Sequence, residues 1–412
     1  MNDSNTPAPT WSVLTAAPHR LHFFCGLAAL VAASLWWALH LVARYIGGPI
    51  FALDLTIAPI WAHSFLMVFA VFPTVIFGFL FTVYPRWMNG PLVLRGVYVA
   101  SATLLSAGTV AWLAGTYTSP VLLLAGCVLV AAGLVVGIAE LIRVLVAAPQ
   151  TVSHAVVTLI ALCVEVVALA GFTYGVVQTD DVALHYAVRV ALWGGLLPVF
   201  FAVCHRMIPF FSQNVVPGYV AWRPLWILVG VVALVYGRLF LGALGALQWL
   251  PVADAALFVL TAWCAVRWTD LRARGNALLW SLYAGFAWLP AAALLQTARD
   301  ASFTLTGEWA LGRAPIHALG MGFFGCMLIA MVTRVTMGHS GQALRMDRVT
   351  LACFIGVQLA AVSRVVSEVS STPVAVKWFL LTSLALWVIA TLVWTGRLTG
   401  VYLRPRSDGK PG

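Results

Sequence analysis

The sequence predicts an all-α, polytopic integral membrane protein of about twelve transmembrane helices, with both termini in the cytoplasm. Hydrophobic residues make up 62% of the 412 residues and charged residues only 9%, against about 25% charged residues in an average soluble domain. The apolar residues fall in runs of about twenty, the length that crosses a bilayer core as a helix. These runs do not alternate between apolar and polar residues, and a helix satisfies its own backbone hydrogen bonds in lipid.

Twelve apolar runs follow one another along the chain with short connections. Pro73 lies inside the second run and Pro198 inside the sixth, where each is expected to kink its helix or to open a local site. No connection is long enough for a soluble domain. The predicted spans are 21–43, 59–84, 93–115, 121–147, 152–177, 184–205, 223–246, 251–269, 277–297, 314–336, 348–368 and 375–396.

The lysines and arginines predict the orientation. Of the 23 cationic residues, sixteen fall in the termini and one set of connections, five in the other set, and two within spans. Cytoplasmic loops are enriched in Lys and Arg, so this bias places both termini in the cytoplasm. The net charge of +10 is then mainly a topology signal, and no nucleic-acid partner is expected. We expect a cytoplasmic tail over 1–20, one transmembrane domain over 21–396 and a basic cytoplasmic tail over 397–412.

Two histidines near the outer ends of their spans predict a metal site. His63 and His317 lie on helices that run in the same direction, and both lie near the outer mouth. Each is followed four residues later by a methionine, Met67 and Met321, on the same helix face. Imidazole with thioether suits copper, especially Cu(I), and haem iron. The alternative for each residue alone is structural, because interfacial histidines also bind water or headgroups and methionines also pack between helices.

A second cluster is predicted at the inner face. His205 and Arg206 end the sixth span, and Arg334 and His339 end the tenth. The histidines either form a second metal site or join the arginines in binding an anionic group, such as a haem propionate, a lipid phosphate or a substrate. The alternative is that these arginines only mark the cytoplasmic boundary of the membrane.

Two further charged residues lie inside predicted spans. Glu165 is near the middle of the fifth and Arg238 near the middle of the seventh. A lone charge is expensive in lipid, so each should have a partner. We therefore expect Glu165 and Arg238 to form an intramembrane pair, either structural or part of a proton relay.

At several segments the chain resembles the NnrS family of bacterial membrane proteins. The last of them is the most specific, because its 25 residues begin with His317, include Thr333–Arg334 and carry His339 near the end. The matching stretches are WAHSFLMVF at 61–69, GFLFTVYPRW at 78–87, RMIPFFSQN at 206–214 and HALGMGFFGCMLIAMVTRVTMGHSG at 317–341.

The resemblance implies a haem- and copper-containing protein of the bacterial inner membrane, linked to nitric oxide metabolism and tolerance of nitrosative stress. It implies haem of the b type and copper as cofactors, and it matches the family's histidines to His63, His317 and His339. The family's second-span motif is H-x-H-E, whereas this chain has Phe65 and Leu66 in place of the second His and the Glu. This departure removes one ligand and one carboxylate, so either the metal content differs or Met67 supplies the missing bond.

The sequence leaves three functions open. The first is a haem/copper protein, surrounded by membrane lipid, that binds nitric oxide and acts on it or protects against it. Whether it is an enzyme, and what its electron donor is, does not follow from the sequence. The second is a transporter or permease for a metal, haem or small solute, with Glu165 and Arg238 lining a path. The third is an assembly factor for a respiratory complex.

Overall fold

The fold is a bundle of twelve long apolar helices. The computed structural model describes residues 10–47 and 54–408, and no strand occurs in these two ranges. Twelve helices within them are long and apolar enough to cross a membrane, so the predicted fold class and number of spans are confirmed. They are α1 (Pro18–Ile46), α2 (Pro59–Met88), α3 (Arg95–Thr118), α4 (Pro120–Ala147), α5 (Ser153–Gln178), α6 (Asp181–Val215), α7 (Leu225–Ala243), α8 (Leu247–Trp268), α9 (Ala277–Thr306), α10 (Ala314–His339), α11 (Arg348–Val369) and α12 (Pro373–Tyr402).

Local sequence explains where many of these helices begin. Proline occupies the first turn of α1, α2, α4 and α12, where its missing N–H group costs no hydrogen bond. Asp347 caps α11, because its carboxylate accepts a hydrogen bond from the Thr350 N–H at 2.8 Å. Burial raises the pKa of Asp347, but this backbone bond and the Arg397 guanidinium of α12 outweigh burial, and the net pKa lies below its ordinary value.

Helices α2, α6 and α10 form the centre of the bundle. In the most apolar window of α2, 89% of the residues are buried inside the protein, and in α6 and α10 the share is 78%. The share is only 28% in α7 and α8 and 22% in α12. A helix that is apolar on all sides is surrounded by protein when it is central and contacts lipid when it is peripheral.

Each central helix contains a π-helical segment. The segments are Leu66–Val71 in α2, Ala191–Leu196 in α6 and Ala318–Gly325 in α10. The first two lie just before Pro73 and Pro198. A proline lacks the N–H group of a regular α-helix and its ring crowds the carbonyl four residues back, and a wider turn relieves this conflict. The third segment has no proline but contains three glycines.

The two ends of the bundle differ in what they carry. We call the end at which α1 begins and α12 ends the terminal face and the opposite end the distal face. These two helix ends meet there, because the Arg20 guanidinium donates to the carbonyls of Tyr402 and Arg404 at 3.2 and 2.9 Å. Helix α12 extends to Tyr402, so the first residues of the expected C-terminal tail are helical.

Candidate functional site

A cavity opens near the distal face and contains the predicted outer ligands. Its volume is about 480 Å³, and its wall is formed by residues of α1, α2, α6, α9, α10, α11 and α12. His63, Met67, His317 and Met321 all lie on this wall. The structure therefore brings together the four residues that the sequence analysis assigned to the outer metal site.

His317 has one ring nitrogen that bonds to the backbone and one that has no hydrogen-bond partner among the described residues. Its Nδ1 lies 3.0 Å from the carbonyl oxygen of Arg313, one turn earlier. A carbonyl only accepts hydrogen bonds, so Nδ1 carries the proton and Nε2 keeps its lone pair. A backbone carbonyl that fixes the tautomer in this way is the usual orienting partner of a metal-binding histidine.

His63 also has an unused ring nitrogen. Its Nδ1 is buried and makes no hydrogen bond to the described residues. The imidazole stacks on the indole of Trp37, with ring centroids 4.3 Å apart and an interplanar angle of 14°. Stacking sets the plane of the ring without using its nitrogens, so His63 remains available to a ligand.

The methionines occupy the π-helical segments that follow each histidine. Met67 lies in Leu66–Val71 of α2 and Met321 in Ala318–Gly325 of α10. In the described part of the chain, no cluster of three or more His, Cys, Asp and Glu residues could hold a metal ion. The available donor set in the cavity is therefore two imidazoles and two thioethers, which fits Cu(I) and haem iron and does not fit hard cations.

In His205 and His339, the two predicted inner ligands, both ring nitrogens are engaged in hydrogen bonds within the protein. Nε2 of His205 lies 3.2 Å from the Pro224 carbonyl and must donate, so its Nδ1 accepts from His154 Nε2 at 2.9 Å. Nδ1 of His339 donates to the Val335 carbonyl at 3.0 Å. Its Nε2 lies 3.3 Å from the Arg86 guanidinium, which only donates. The structure therefore does not support a metal site at His205 or His339, because hydrogen bonds within the protein use both nitrogens of each ring.

The two arginines of the predicted inner anion site each pack against an aromatic ring. The guanidinium of Arg206 lies 5.2 Å from the Trp87 ring centroid, and that of Arg334 lies 3.8 Å from the Phe211 ring centroid. Arg334 is buried. Each cation is stabilised by an aromatic face, but neither guanidinium makes a hydrogen bond or an ion pair with the described residues, so an anionic group at Arg206 and Arg334 stays a prediction.

The predicted pair between Glu165 and Arg238 is wrong. Arg238 instead forms ion pairs with Asp254 at 2.5 Å and Asp300 at 2.9 Å, and it packs over the Trp193 ring. Both carboxylate oxygens of Glu165 are buried without a hydrogen-bond partner among the described residues. Arg238 lies five residues before the end of α7, near the distal face. Glu165 lies in the middle of α5, and its carboxylate faces Gly195 of α6 rather than the Arg238 cluster.

The two carboxylates that pair with Arg238 were not predicted from the sequence. Asp254 lies early in α8 and Asp300 lies late in α9, so both are near the distal face, as Arg238 is. The two aspartates could have been predicted as partners of Arg238 from their similar distance to the distal ends of their helices. Asp300 also accepts a hydrogen bond from Gln296 at 2.8 Å, and Gln296 and Trp193 both lie on the cavity wall. This buried cluster thus forms the support behind one side of the cavity.

Phe65 and Leu66, the residues at which the chain departs from the H-x-H-E motif, do not contribute to this cavity. Phe65 is fully buried and stacks on Trp112, with ring centroids 3.8 Å apart. Leu66 is also fully buried, and neither residue belongs to the cavity wall. The side chain at position 65 faces the core between α2 and its neighbours, so Phe65 takes no ligand away from the four donors described above.

Comparison with models of protein families gives a match over nearly the whole chain. The family model described as NnrS protein matches residues 13–406 of the 412 residues. No curated protein matches the chain. The matched range includes all twelve helices and every residue of the cavity wall named above.

Proposed function

The chain belongs to the NnrS family, and from this premise we propose that it is a haem- and copper-binding protein of the bacterial inner membrane. We propose that it acts in nitric oxide metabolism or in tolerance of nitrosative stress. The observation that carries the proposal is the distal cavity, in which two imidazoles with unused nitrogens lie on one wall with two thioethers.

Each of the four donor residues in the cavity has its own role in this proposal. His317 offers Nε2 to the metal, while its Nδ1–H bond to the Arg313 carbonyl holds the ring in place. His63 offers a second imidazole, oriented by its stacking on Trp37. Met67 and Met321 add soft sulfur donors. Haem iron or Cu(I) held here supplies a centre that binds nitric oxide, an apolar gas that partitions into the bilayer.

The distal cavity favours the haem/copper hypothesis over the transport hypothesis. The transport hypothesis had kinked spans, Glu165 and Arg238 lining a path, but neither of these two residues belongs to the cavity wall. Arg238 is held by two aspartates and a tryptophan ring. A residue fixed in this way stabilises the bundle and does not offer a mobile charge to a solute.

The experiment that tests the proposal is an optical spectrum and metal analysis of the purified protein. We expect haem absorbance and copper in the wild-type protein. His63→Ala and His317→Ala should each lose most of the metal bound in the cavity, because each removes a direct ligand. Met321→Leu keeps the volume of the side chain but removes the sulfur, and it should alter the spectrum without loss of fold.

His339→Ala is the matched control, because His339 lies on the same helix as His317 but has both ring nitrogens bonded to the protein. It should retain the metal. Wild-type protein that contains neither haem nor copper would contradict the proposed function. Loss of metal in His339→Ala with retention in His317→Ala would contradict the assigned site.

A further inference from the structure

The distal cavity is strongly cationic. Four arginines contribute to its wall, and no aspartate or glutamate from the described part of the chain does so. The four residues come from four different helices or their ends, so they surround the cavity rather than follow one helix face. They are Arg189, Arg299, Arg313 and Arg364.

Two of these arginines already have partners within the protein. Arg364 forms an ion pair with Glu368 at 2.5 Å. Arg299 donates to the Gly312 carbonyl at 3.1 Å, lies 3.5 Å from Asp300 and stacks over a tryptophan ring. Their charges are largely compensated, so they shape the cavity without requiring a ligand.

The charges of the other two arginines, Arg189 and Arg313, are not compensated by a partner in this way. Neither guanidinium makes a hydrogen bond or an ion pair with the described residues, although the Arg313 backbone N–H donates to Glu368 at 2.9 Å. Arg189 is partly buried in α6, just before its π-helical segment. The nearby carboxylates Asp254 and Asp300 are already engaged by Arg238. An unpaired cation inside a membrane bundle is costly, which applies to the partly buried Arg189, whereas Arg313 is exposed at the mouth of the cavity. Both guanidinium groups thus have N–H donors available to an anionic ligand.

The rest of the cavity indicates what kind of anion fits. Four tryptophans contribute to the wall, namely Trp37, Trp61, Trp193 and Trp387. The volume of about 480 Å³ is in the range of cavities that hold drug-sized ligands, and a small inorganic oxyanion would fill little of it. A flat aromatic ligand with carboxylates at one edge would use both the aromatic walls and the unpaired arginines.

We propose that Arg189 and Arg313 bind the carboxylates of a porphyrin-class ligand that occupies the distal cavity. The inference rests on the proposed function in taking this ligand to be the haem that His63 and His317 bind. It assigns the propionates to the distal face, whereas the sequence analysis placed them beside Arg206 and Arg334. Guanidinium groups are well suited to this task, because their paired N–H donors match the geometry of a carboxylate.

Metal-free protoporphyrin IX tests this inference separately from metal ligation. Wild-type protein in nanodiscs is titrated with protoporphyrin IX and with its dimethyl ester, and binding is followed by porphyrin fluorescence against empty nanodiscs. We expect the free acid to bind at least about tenfold more tightly than the ester, since charged hydrogen bonds to carboxylates are lost on esterification. Equal affinities, or no binding of the free acid, would overturn the inference.

Arg189→Gln should raise the Kd for protoporphyrin IX by about tenfold or more and leave the Kd for the ester unchanged. Arg313→Gln serves as a second variant, and the thermal unfolding of both ligand-free variants checks that they fold. Arg44→Gln is the matched control, because Arg44 is an exposed cation near the same face and lies outside the cavity wall. An Arg189→Gln affinity equal to that of Arg44→Gln would overturn the assignment.

Failure of the proposed function and failure of the carboxylate site give different results in these experiments. If wild-type protein binds protoporphyrin IX in preference to its ester but is purified without haem or copper, the proposed function fails and the carboxylate site stands. If His63→Ala and His317→Ala lose the metal but Arg189→Gln and Arg313→Gln bind protoporphyrin IX normally, the metal site stands and the carboxylate site fails.

Discussion

Two buried ionisable residues in this bundle, Arg238 and Glu165, have opposite surroundings. Arg238 is 2% exposed and has two aspartates and an indole ring around its guanidinium. Glu165 is 0% exposed and has no partner within the described residues. The interior of the bundle stabilises the first as an ion cluster, and it favours the neutral acid for the second, because a lone carboxylate there is strongly disfavoured.

Loss of one carboxylate from the Arg238 cluster should destabilise the protein. Asp254→Asn removes a fully buried partner and leaves the guanidinium undercompensated, which costs about 3 kcal/mol when one member of a buried pair is lost. The measurement is thermal or denaturant unfolding of the purified protein in detergent. An unchanged unfolding midpoint would contradict the structural role of the cluster.

Glu165→Gln is the matched variant for this test. It makes the same change from carboxyl to amide in an equally buried residue, but it breaks no ion pair. The cost should be about 1 kcal/mol or less, because the amide replaces a neutral acid of the same shape. A loss as large as that of Asp254→Asn would show that Glu165 is charged and paired.

Depth along a helix could be predicted from the sequence, whereas lateral neighbours could not. His63 and His317 were placed at one depth by counting residues, and they do lie on one cavity wall. The same count placed Arg238 near the middle of a span over 223–246. Helix α7 ends earlier, at Ala243, so Arg238 lies closer to the distal face than predicted. His205 shows the second limit, since its partner His154 lies on the neighbouring helix α5, which residue spacing cannot reveal.

At the level of elements, the π-helical segments shape the cavity. Each of the three contributes to the wall: Met67 from α2, Trp193 from α6, and Gly320 and Met321 from α10. A π-helical turn shifts the hydrogen bonds by one residue, and hydropathy cannot detect this shift. Pro73 and Pro198 were the only sequence signals for it, and the segment in α10 had none.

The π-helical segment of α10 needs one of its glycines for close packing. A Cβ atom at Gly322 would lie 2.4 Å from Cδ2 of Trp288, whose indole N–H is fixed by a hydrogen bond to Gln358 at 2.5 Å. Gly322→Ala should therefore lower stability by about 1–3 kcal/mol, the usual cost of overpacking. It should also lower metal content, because Met321 is the adjacent residue.

Gly320→Ala provides the control within the same segment. No atom lies within 4 Å of the Cβ position at Gly320, so the added methyl group should leave the unfolding midpoint nearly unchanged. Both variants are compared by thermal unfolding and by metal analysis. Equal stability of the two variants would contradict the packing of α9 against α10 described here.

At the level of the whole molecule, the number of spans was predictable but the arrangement was not. Lipid and protein interior are equally apolar, so hydropathy does not separate a central helix from a peripheral one. The buried share of 89% in α2 and 22% in α12 arises from two helices that both look like ordinary membrane spans. The recurrence of a π-helical segment in every fourth span, in α2, α6 and α10, became visible only in the folded bundle.

The charge distribution predicts which way this bundle faces. The terminal face carries most of the lysines and arginines, and the distal face, where the cavity opens, carries few outside the cavity itself. The positive-inside tendency therefore predicts that the termini are cytoplasmic and that the cavity opens on the opposite side of the membrane. Nitric oxide reaches either side through lipid, but an aqueous electron donor for this site would have to approach from outside the cytoplasm.

Single cysteines on the two faces test this orientation. Glu308 lies in the exposed distal connection before α10, and Arg345 lies in the exposed terminal connection before α11. A membrane-impermeant maleimide should label Glu308→Cys in intact spheroplasts and should label Arg345→Cys only after permeabilisation. The wild-type chain, whose seven cysteines are all free, gives the background. The reverse labelling pattern would place the cavity on the cytoplasmic side, and the donor would then be sought there.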